Sequence, residues 1–508
     1  MKYPLRCIAM LAVKASLFSS LFLLGVSPAA AAESDSSRPN VVMIAIDDLN
    51  DWVEPLAGHP DVKTPAMARL AKRGVTFSNA HCQAPLCNPS RTSIMTGLRP
   101  TSTGIYGLTP WFRDLPKFKS RTTLLQHFHN HGYQTFIGGK IYHNVYGRNQ
   151  SHPQECDVWG PASSIGVKPP QKLIPPTPNG NHKLMDWGTF PHRDEDKGDW
   201  HVASWAVNEI ESMQDEKPFF LAAGFFLPHV PCYATQKWFD LYPEDTLTMP
   251  PMPAGDRSDT PRSSWYLHWE LPEPRTDWLE ANDQLRPLVR AYLASISFVD
   301  SQVGRILDAL EKSPYADNTI VVLWSDHGYH LGEKAISGKN SLWARSTRVP
   351  LLFAGPGIPA DVQCDQPAEL LDLYPTLAAL AGLPEPEDVE GISLKPQLVD
   401  PSTPRERPAV SSHNKGNHSV CDTRWRYIRY LDGGEELYDH ESDPNEFDNL
   451  IAPGKDRAPY ADVIDRLRRW LPKQERALAK GSSQRILQQR ANGIFWENKK
   501  IDPSQAPH

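Results

Sequence analysis

The stretch from His81 to Pro100, HCQAPLCNPSRTSIMTGLRP, holds the residues whose types and spacing bear most directly on chemistry. Cys87-Asn88-Pro89-Ser90-Arg91 forms a proline-interrupted turn and runs straight into Thr92-Ser93-Ile94-Met95-Thr96-Gly97, which reads as a helix start. Pro89 fits an early helical position, and the hydroxyls of Ser90, Thr92 and Ser93 can occupy free backbone groups there. A cysteine so placed meets unpaired N–H donors and the positive end of the helix dipole, with Arg91 about one turn on along the same side. The setting suits an anion. It fits both a structural cysteine beside a helix cap and a thiol nucleophile of depressed pKa, and this stretch alone leaves the two open.

Other ionisable residues recur just past apolar runs. Val41 to Ile46 is almost continuously apolar, as a central parallel strand covered on both faces should be, and it ends in Asp47-Asp48. Tyr133 to Ile137 leads into Gly138-Gly139-Lys140 and then His143. Phe219 to Phe226 is closed by Leu227-Pro228-His229; Thr319 to Ser325 ends in Asp326-His327, and Lys339 follows in a loop. Each residue has a bland reading as a turn cap or a solvated loop group. Their recurrence at strand ends is more informative, because open α/β sheets bind ligands beyond the carboxyl ends of their strands. Adjacent Asp47 and Asp48 also supply the oxygen donors that Ca²⁺ and Mg²⁺ prefer.

Between the strands lie helical patterns: Pro65 to Ala71 with Thr64 as cap, Thr123 to His131, Trp200 to Met213, and Leu370 to Leu380. The longest, Leu285 to Leu310, spaces Leu288, Tyr292, Ile296, Val299, Val303 and Ile306 for core packing, and no chemistry is assigned to it. The alternation of strand and helix predicts an α/β sandwich with mostly parallel strands. Residues 144–195 and 243–275 are proline-rich excursions; the aromatics Trp265, Tyr266 and Trp269 of the second either line a sugar groove or cover the sheet. The alternating run Trp425 to Leu431, Gly433-Gly434 and Glu435 to Asp439 reads as a hairpin, with a helix near 460–471.

The organisation expected is a leader at residues 1–32, a large domain over 36–394, a small one over 395–480, and a polar tail over 481–508. Lys2 and Arg6 ahead of an apolar run, with small residues before Glu33, make the leader a secretory signal peptide and place the mature protein in the periplasm or outside the cell. The later sequence holds no run of membrane-spanning length, so no stable membrane insertion is expected. The 53 basic and 60 acidic residues, for a formal net charge of -7, argue against a general nucleic-acid surface. The seven cysteines are spaced too widely for a zinc cluster or a disulfide framework.

Cys87, Pro89, Ser90 and Arg91, followed by Thr96-Gly97, match the C-x-P-S-R motif of the type I sulfatases, in which the cysteine is oxidised to formylglycine and the hydrate of that aldehyde is the nucleophile. The chain most resembles the iduronate 2-sulfatase branch of that family. The resemblance implies an alkaline-phosphatase-like sandwich with a large mostly parallel mixed sheet and a small C-terminal antiparallel-sheet subdomain. It implies one Ca²⁺ held by Asp47, Asp48, Asp326, His327 and the group made from Cys87. It implies catalytic roles for Arg91, Lys140, His143, His229 and Lys339, with Arg91 offsetting charge and Lys140 and Lys339 binding sulfate. His229 with Lys339 would protonate the departing oxygen, and His143 would act as base in regenerating the aldehyde. A histidine at 327, where many sulfatases carry Asn, agrees with that branch, while Glu436-Leu437-Tyr438-Asp439 with Asp443-Pro444-Asn445-Glu446 resembles the ending of the family as a whole.

The expected substrate is a sulfated oligosaccharide or polysaccharide, attacked in exo fashion at a 2-O-sulfated uronate or a related sugar. The expected partner is a formylglycine-generating or anaerobic sulfatase-maturating enzyme. His182, Arg193, Arg345 and Lys415 are candidates to recognise a uronate carboxylate, though each also reads as a surface residue. Two alternatives remain. One is a phosphate or phosphonate monoester hydrolase on the same scaffold, which would need further His and Asp ligands; the other is a secreted glycan-binding protein without catalysis.

Overall fold

The apolar run after Pro39 forms strand β1, Asn40–Asp47, buried along its whole length. Its alternate side chains enter two cores: Val42, Ile44 and Ile46 pack in one, Val41, Met43 and Ala45 in the other. A strand covered on both faces has no polar side to present, which is why its sequence does not alternate. The computed structural model describes residues 38–148, 154–214 and 217–506; the leader at 1–32 lies outside them.

Seven further strands complete the sheet: β2 (Gly74–Phe77), β3 (Gln134–Gly139), β4 (Val158–Ala162), β5 (Phe219–Pro228), β6 (Thr319–Ser325), β7 (Leu351–Ala354) and β8 (Val362–Cys364). Their order is β8-β2-β7-β6-β1-β5-β3-β4. β7 runs antiparallel to β2 and β6, and the other neighbours pair in parallel. Helices α3 (Gly198–Ser212) and α4 (Leu285–Lys312) cover one face together with α1 (Pro65–Ala71); α2 (Cys87–Thr96) and α5 (Leu373–Leu380) cover the other. This is the α/β sandwich that the strand–helix alternation predicts, with the alkaline-phosphatase-like form that the family resemblance implies.

Several local expectations are corrected. Thr64 does not cap α1: its hydroxyl accepts from Glu54 N at 2.8 Å, and buried Asp300 of α4 accepts from Ala66 N at 2.9 Å and Met67 N at 2.8 Å instead. The first excursion contains β4, an edge strand whose half-exposed side chains give no alternating signature. In the second excursion Trp265 and Tyr266 are buried against Leu267, Ile428 and Tyr438, so they cover the fold rather than line a sugar groove. Trp265 also lies against the Arg257 guanidinium, 3.3 Å from its ring centroid.

The small C-terminal sheet is antiparallel: β9 (Ala409–Ser412), β10 (His418–Cys421), β11 (Trp425–Arg429) and β12 (Glu435–Asp439), packed under α6 (Ala461–Arg468). It is tied to the large domain by the buried Glu369, which accepts from the two terminal guanidinium nitrogens of Arg99 at 2.7 Å each and from the N–H of Val410 at 2.9 Å. Beyond residue 480, where the sequence reads as a polar appendage, a further sheet forms from β13 (Leu487–Arg490), β14 (Gly493–Trp496) and β15 (Lys499–Lys500). Leu487, Trp496 and Ile501 are buried in the cluster that holds Trp265, with Ile494 packed against it. The apolar runs here, Ile486-Leu487 and Ile494-Phe495-Trp496, are too short to mark strands in a polar sequence.

The described cysteines, Cys82, Cys87, Cys156, Cys232, Cys364 and Cys421, are all buried and free. Among the described residues no helix is long and apolar enough to cross a membrane.

Candidate active site

β1, β3, β5 and β6 all end at one edge of the sheet, and the charged residues noted after each apolar run converge there. Two adjacent residues of a regular strand face opposite ways. Asp47 and Asp48 escape this through a register shift between Ile46 and Asp47 and a left-handed conformation at Asp48, with φ 61°. Aspartate tolerates that region better than most residues. The turn is held by Tyr292 of α4, whose hydroxyl donates to Asp48 O at 2.7 Å and accepts from Asn50 N at 2.9 Å. Asp48 N donates to Asp326 Oδ1 at 3.1 Å. Tyr292 was legible in sequence only as core; its hydroxyl holds a strained site turn. Tyr292→Phe removes both bonds inside the protein and is expected to cost about 1–3 kcal/mol of stability. Urea unfolding measures that loss, and metal titration should show weaker binding.

Cys87 is the first residue of α2, and no side chain caps that helix. The hydroxyls expected there serve elsewhere: Ser90 donates to Asp326 O at 2.6 Å and Ser93 to Pro89 O at 2.9 Å. The first of these bonds fixes α2 to the end of β6. Cys87 Sγ receives Lys339 Nζ at 3.2 Å and lies 3.3 Å from His327 Nε2. Burial raises the Cys87 thiol, but Lys339 and Lys140 outweigh it and bring it down to about 6.

Arg91 is fully buried, and its donors are spent on Asp326 Oδ2 at 2.8 Å, Asp47 Oδ1 at 3.1 Å, Ile141 O at 3.1 Å and Lys140 O. Lys140 Nζ pairs with Asp47 Oδ2, and Lys339 Nζ with Asp48 Oδ1 at 2.7 Å. Three buried cations thus face three buried carboxylates. Burial opposes ionisation of Asp47, yet Lys140, His229 and Arg91 hold it well below the usual carboxylate range. Asp326 goes the other way, to about 7, because burial outweighs Arg91. Burial disfavours charge on His327, but Asp326 brings it up to about 9.

The ligand atoms of Asp47, Cys87, Asp326 and His327 lie within 4.8 Å of one another, as do those of Asp47, Asp48, Cys87 and His229. Among the described residues Asp48 Oδ2 is buried without a hydrogen-bond partner, a costly state that a bound cation would relieve. Three carboxylates suit a hard divalent cation.

His229 and His143 stand at the cleft side. His229 follows the end of β5; its Nδ1 contacts Val230 O at 2.6 Å, and one of its ring nitrogens lies within 4.8 Å of ligand atoms of Asp47, Asp48 and Cys87. Asp199 of α3 fixes this strand end by accepting from Phe226 N at 2.7 Å and Leu227 N at 3.0 Å. Burial and Lys140 push His143 down to about 3, and among the described residues its buried Nδ1 has no hydrogen-bond partner. Cys87, Lys140, His143, His229 and Lys339 line one cleft of about 880 Å³. Of the four candidates for a carboxylate contact, His182 lines this cleft. Arg193 is exposed beside Asp196, Arg345 pairs with Asp51 and Glu333 in a different recess, and Lys415 is exposed.

The family model described as Sulfatase matches residues 39–383, more than half of the chain. The chain belongs to the type I, formylglycine-dependent sulfatase family. A second model, described as the C-terminal part of N-sulphoglucosamine sulphohydrolase, matches residues 332–477 of this sulfatase. A sulfatase of Formosa agariphila is 40% identical over 87% of this chain and 88% of its own. A Delta 4,5-hexuronate-2-O-sulfatase of Bacteroides thetaiotaomicron is 30% identical over 85% of this chain and 88% of its own. The iduronate 2-sulfatase of Mus musculus is 30% identical over 73% and 74%. A solved structure, a 2-O GAG sulfatase, superposes with a TM-score of 0.65 at 25% identity, covering 85% of this chain and 91% of its own. The protein is a sulfuric ester hydrolase.

Proposed function

We propose that this sulfatase hydrolyses a sulfate ester on a saccharide, with 2-O-sulfated uronates or related sugars as the substrate class and attack in exo fashion. The observation that carries the reading is the floor of the cleft, where Lys339 and His327 flank Cys87 and Lys140 and Arg91 surround the adjacent carboxylates. A sulfate monoester is an anion, and such a floor offsets its charge. The finer choice of sugar is supported by the iduronate 2-sulfatase, the hexuronate-2-O-sulfatase and the 2-O GAG sulfatase among the similar proteins.

Asp47, Asp48, Asp326 and His327, with the group made from Cys87, would hold one Ca²⁺. When bound, that ion acts as a Lewis acid on a sulfate oxygen and favours deprotonation of the nucleophile made from Cys87. The remaining work falls to the chain's own side chains. Arg91 locks Asp47 and Asp326 in place, and Lys140 and Lys339 bind sulfate oxygens. Lys339, kept protonated by Asp48 and Cys87 against its burial, supplies with His229 the proton for the departing sugar oxygen. His143, neutral and with an open nitrogen, takes the proton that resets the site. Conversion of Cys87 requires a maturating enzyme, and the reading places the protein in the periplasm or outside the cell.

The test is turnover by converted enzyme of defined disaccharides sulfated at the 2-, 4- or 6-position, beside an aryl sulfate and an aryl phosphate. Preference for the 2-O-sulfated uronate and for sulfate over phosphate is expected. Faster aryl phosphate turnover would instead favour the monoester phosphatase alternative, and equal use of all positions would reject the sugar assignment.

A further inference from the structure

Residues 483–486 lie beyond both family matches, which end at 383 and 477, and are read from sequence as part of a polar tail. Three of them nevertheless reach the active-site cleft: Ser483, Gln484 and Arg485 line it together with Cys87 and Lys339. Two consecutive non-glycine residues there, Gln484 and Arg485, adopt left-handed conformations with φ 64° and 75°. Strain of this kind persists where the surroundings over-determine the backbone, and it is concentrated at functional sites.

The surroundings are specific on both sides. Leu108 N donates to Gln484 O at 3.2 Å and Thr109 N to Ser483 O at 3.4 Å, so the strap docks on the 107–110 loop. That loop is held by Asn88, the neighbour of Cys87, whose amide donates to Gly107 O at 3.1 Å and Pro110 O at 3.0 Å. Toward the small sheet, Asn414 donates to Arg485 O at 3.1 Å and accepts from Leu487 N at 3.1 Å. The Arg485 guanidinium then reaches inward, making a two-pronged pair with Glu273 at 2.9 and 3.0 Å and donating to Asn340 Oδ1 at 3.3 Å.

Asn340 follows Lys339 directly and is itself left-handed, with φ 74°. Its N–H donates to Pro85 O at 3.2 Å, two residues before Cys87, and its amide meets His413 Nε2 at 3.2 Å. The next residue back carries the ammonium that lies 3.2 Å from Cys87 Sγ. Glu273 also packs against this loop: a Cβ on Gly338 would lie 2.8 Å from Glu273 Cγ.

We propose that Arg485 is a positioning residue, which sets the Lys339 ammonium against the Cys87-derived group and the substrate sulfate by clamping Asn340 and Glu273. The strap thereby makes the C-terminal segment a working part of the active site. The inference rests on the sulfatase reading, which supplies the Cys87-derived group, the substrate sulfate and the turnover used as readout. A planar, five-donor guanidinium can serve both partners at once; an ammonium can hold Glu273 but reproduces the Asn340 bond poorly.

The experiment compares wild type, Arg485→Ala, Arg485→Lys, Asn340→Gly and the Arg485→Ala/Asn340→Gly double variant on a small aryl sulfate. Rates are normalised to the fraction of Cys87 converted, read by peptide mass spectrometry. Asn340→Gly keeps the left-handed backbone accessible while removing the amide. Arg485→Ala is expected to lower kcat about 10–100-fold with little change in KM, the range of supporting-partner losses. Arg485→Lys should recover part of that loss. The double variant should lose less than the product of the two single losses, since the Arg485–Asn340 contact is common to both while the Glu273 pair is lost only with Arg485. Unchanged kcat in Arg485→Ala, a change confined to KM, or full additivity in the double variant would overturn the proposal. If Arg485→Ala does not fold, the same cycle with Asn414→Ala, which frees the strap's backbone, replaces it with the same outcomes. Absence of sulfate turnover in converted wild type would refute the functional reading instead, which keeps the two failures distinct.

Discussion

Replacing Cys87 by serine yields a folded protein whose sulfate-ester turnover falls by a factor on the order of 10⁴ or more, the scale of removing a nucleophile that works as part of a unit. The loss has a chemical origin. Lys339 and His327 sit beside position 87 irrespective of which small side chain occupies it, because they are fixed by Asp48 and by the Gly328 carbonyl. Charge offset and sulfate binding therefore survive. What disappears is the second oxygen of an aldehyde hydrate, without which a sulfate ester on the substituted hydroxyl has no group to drive its own release. A single slow sulfation event, or none, is expected in a burst experiment. Multiple turnovers by this variant at a rate near wild type would show that the oxidised group is not needed.

Removing the divalent ion should be nearly as severe. Exhaustive chelation is expected to abolish turnover, and Ca²⁺ should restore it. Mg²⁺, which demands a small octahedral shell, should restore it poorly. The structural reason is the excess of carboxylate oxygen at the site: Asp48 Oδ2 has no protein partner among the described residues, and Asp47 and Asp326 have theirs only through Arg91 and neighbouring donors. Because the ion binds the folded chain, chelation should also lower the thermal midpoint, with about 2.7 kcal/mol at stake when calcium stands at 100 times its Kd. Calorimetry with and without Ca²⁺ reads this independently of activity. A chelated enzyme with full turnover and an unchanged midpoint would show that the site works without a metal ion.

The strand ends were legible in sequence because β1, β5 and β6 are buried on both faces, so their apolar runs are continuous and the charged residue that stops each run is conspicuous. The same logic hid what supports them. Tyr292 lies in an apolar stripe of α4 that packing already explains, and nothing in that stripe signals a hydroxyl bound to Asp48. Ser90 read as a cap for its own helix, whereas its partner is a carbonyl 236 residues away. Arg345 read as a surface cation, although Asp51 and Glu333 neutralise it. Arg485 stands in a stretch without periodicity, and its partner Glu273 is 212 residues distant. Long-range polar contacts leave no periodic trace, since each needs only one residue of the right type at each end. Apolar patterning reveals elements; the bonds that tune the site are visible only once the elements are assembled.

If the working group is an oxidation product of Cys87, mass spectrometry of the peptide carrying residue 87 detects it. The measurement is made on preparations expressed with and without a maturating enzyme, and plotted against their specific sulfatase activity. Activity is expected to rise in proportion to the fraction of formylglycine and to extrapolate to zero for the unmodified thiol. Full activity in a preparation whose Cys87 is entirely unmodified would contradict it.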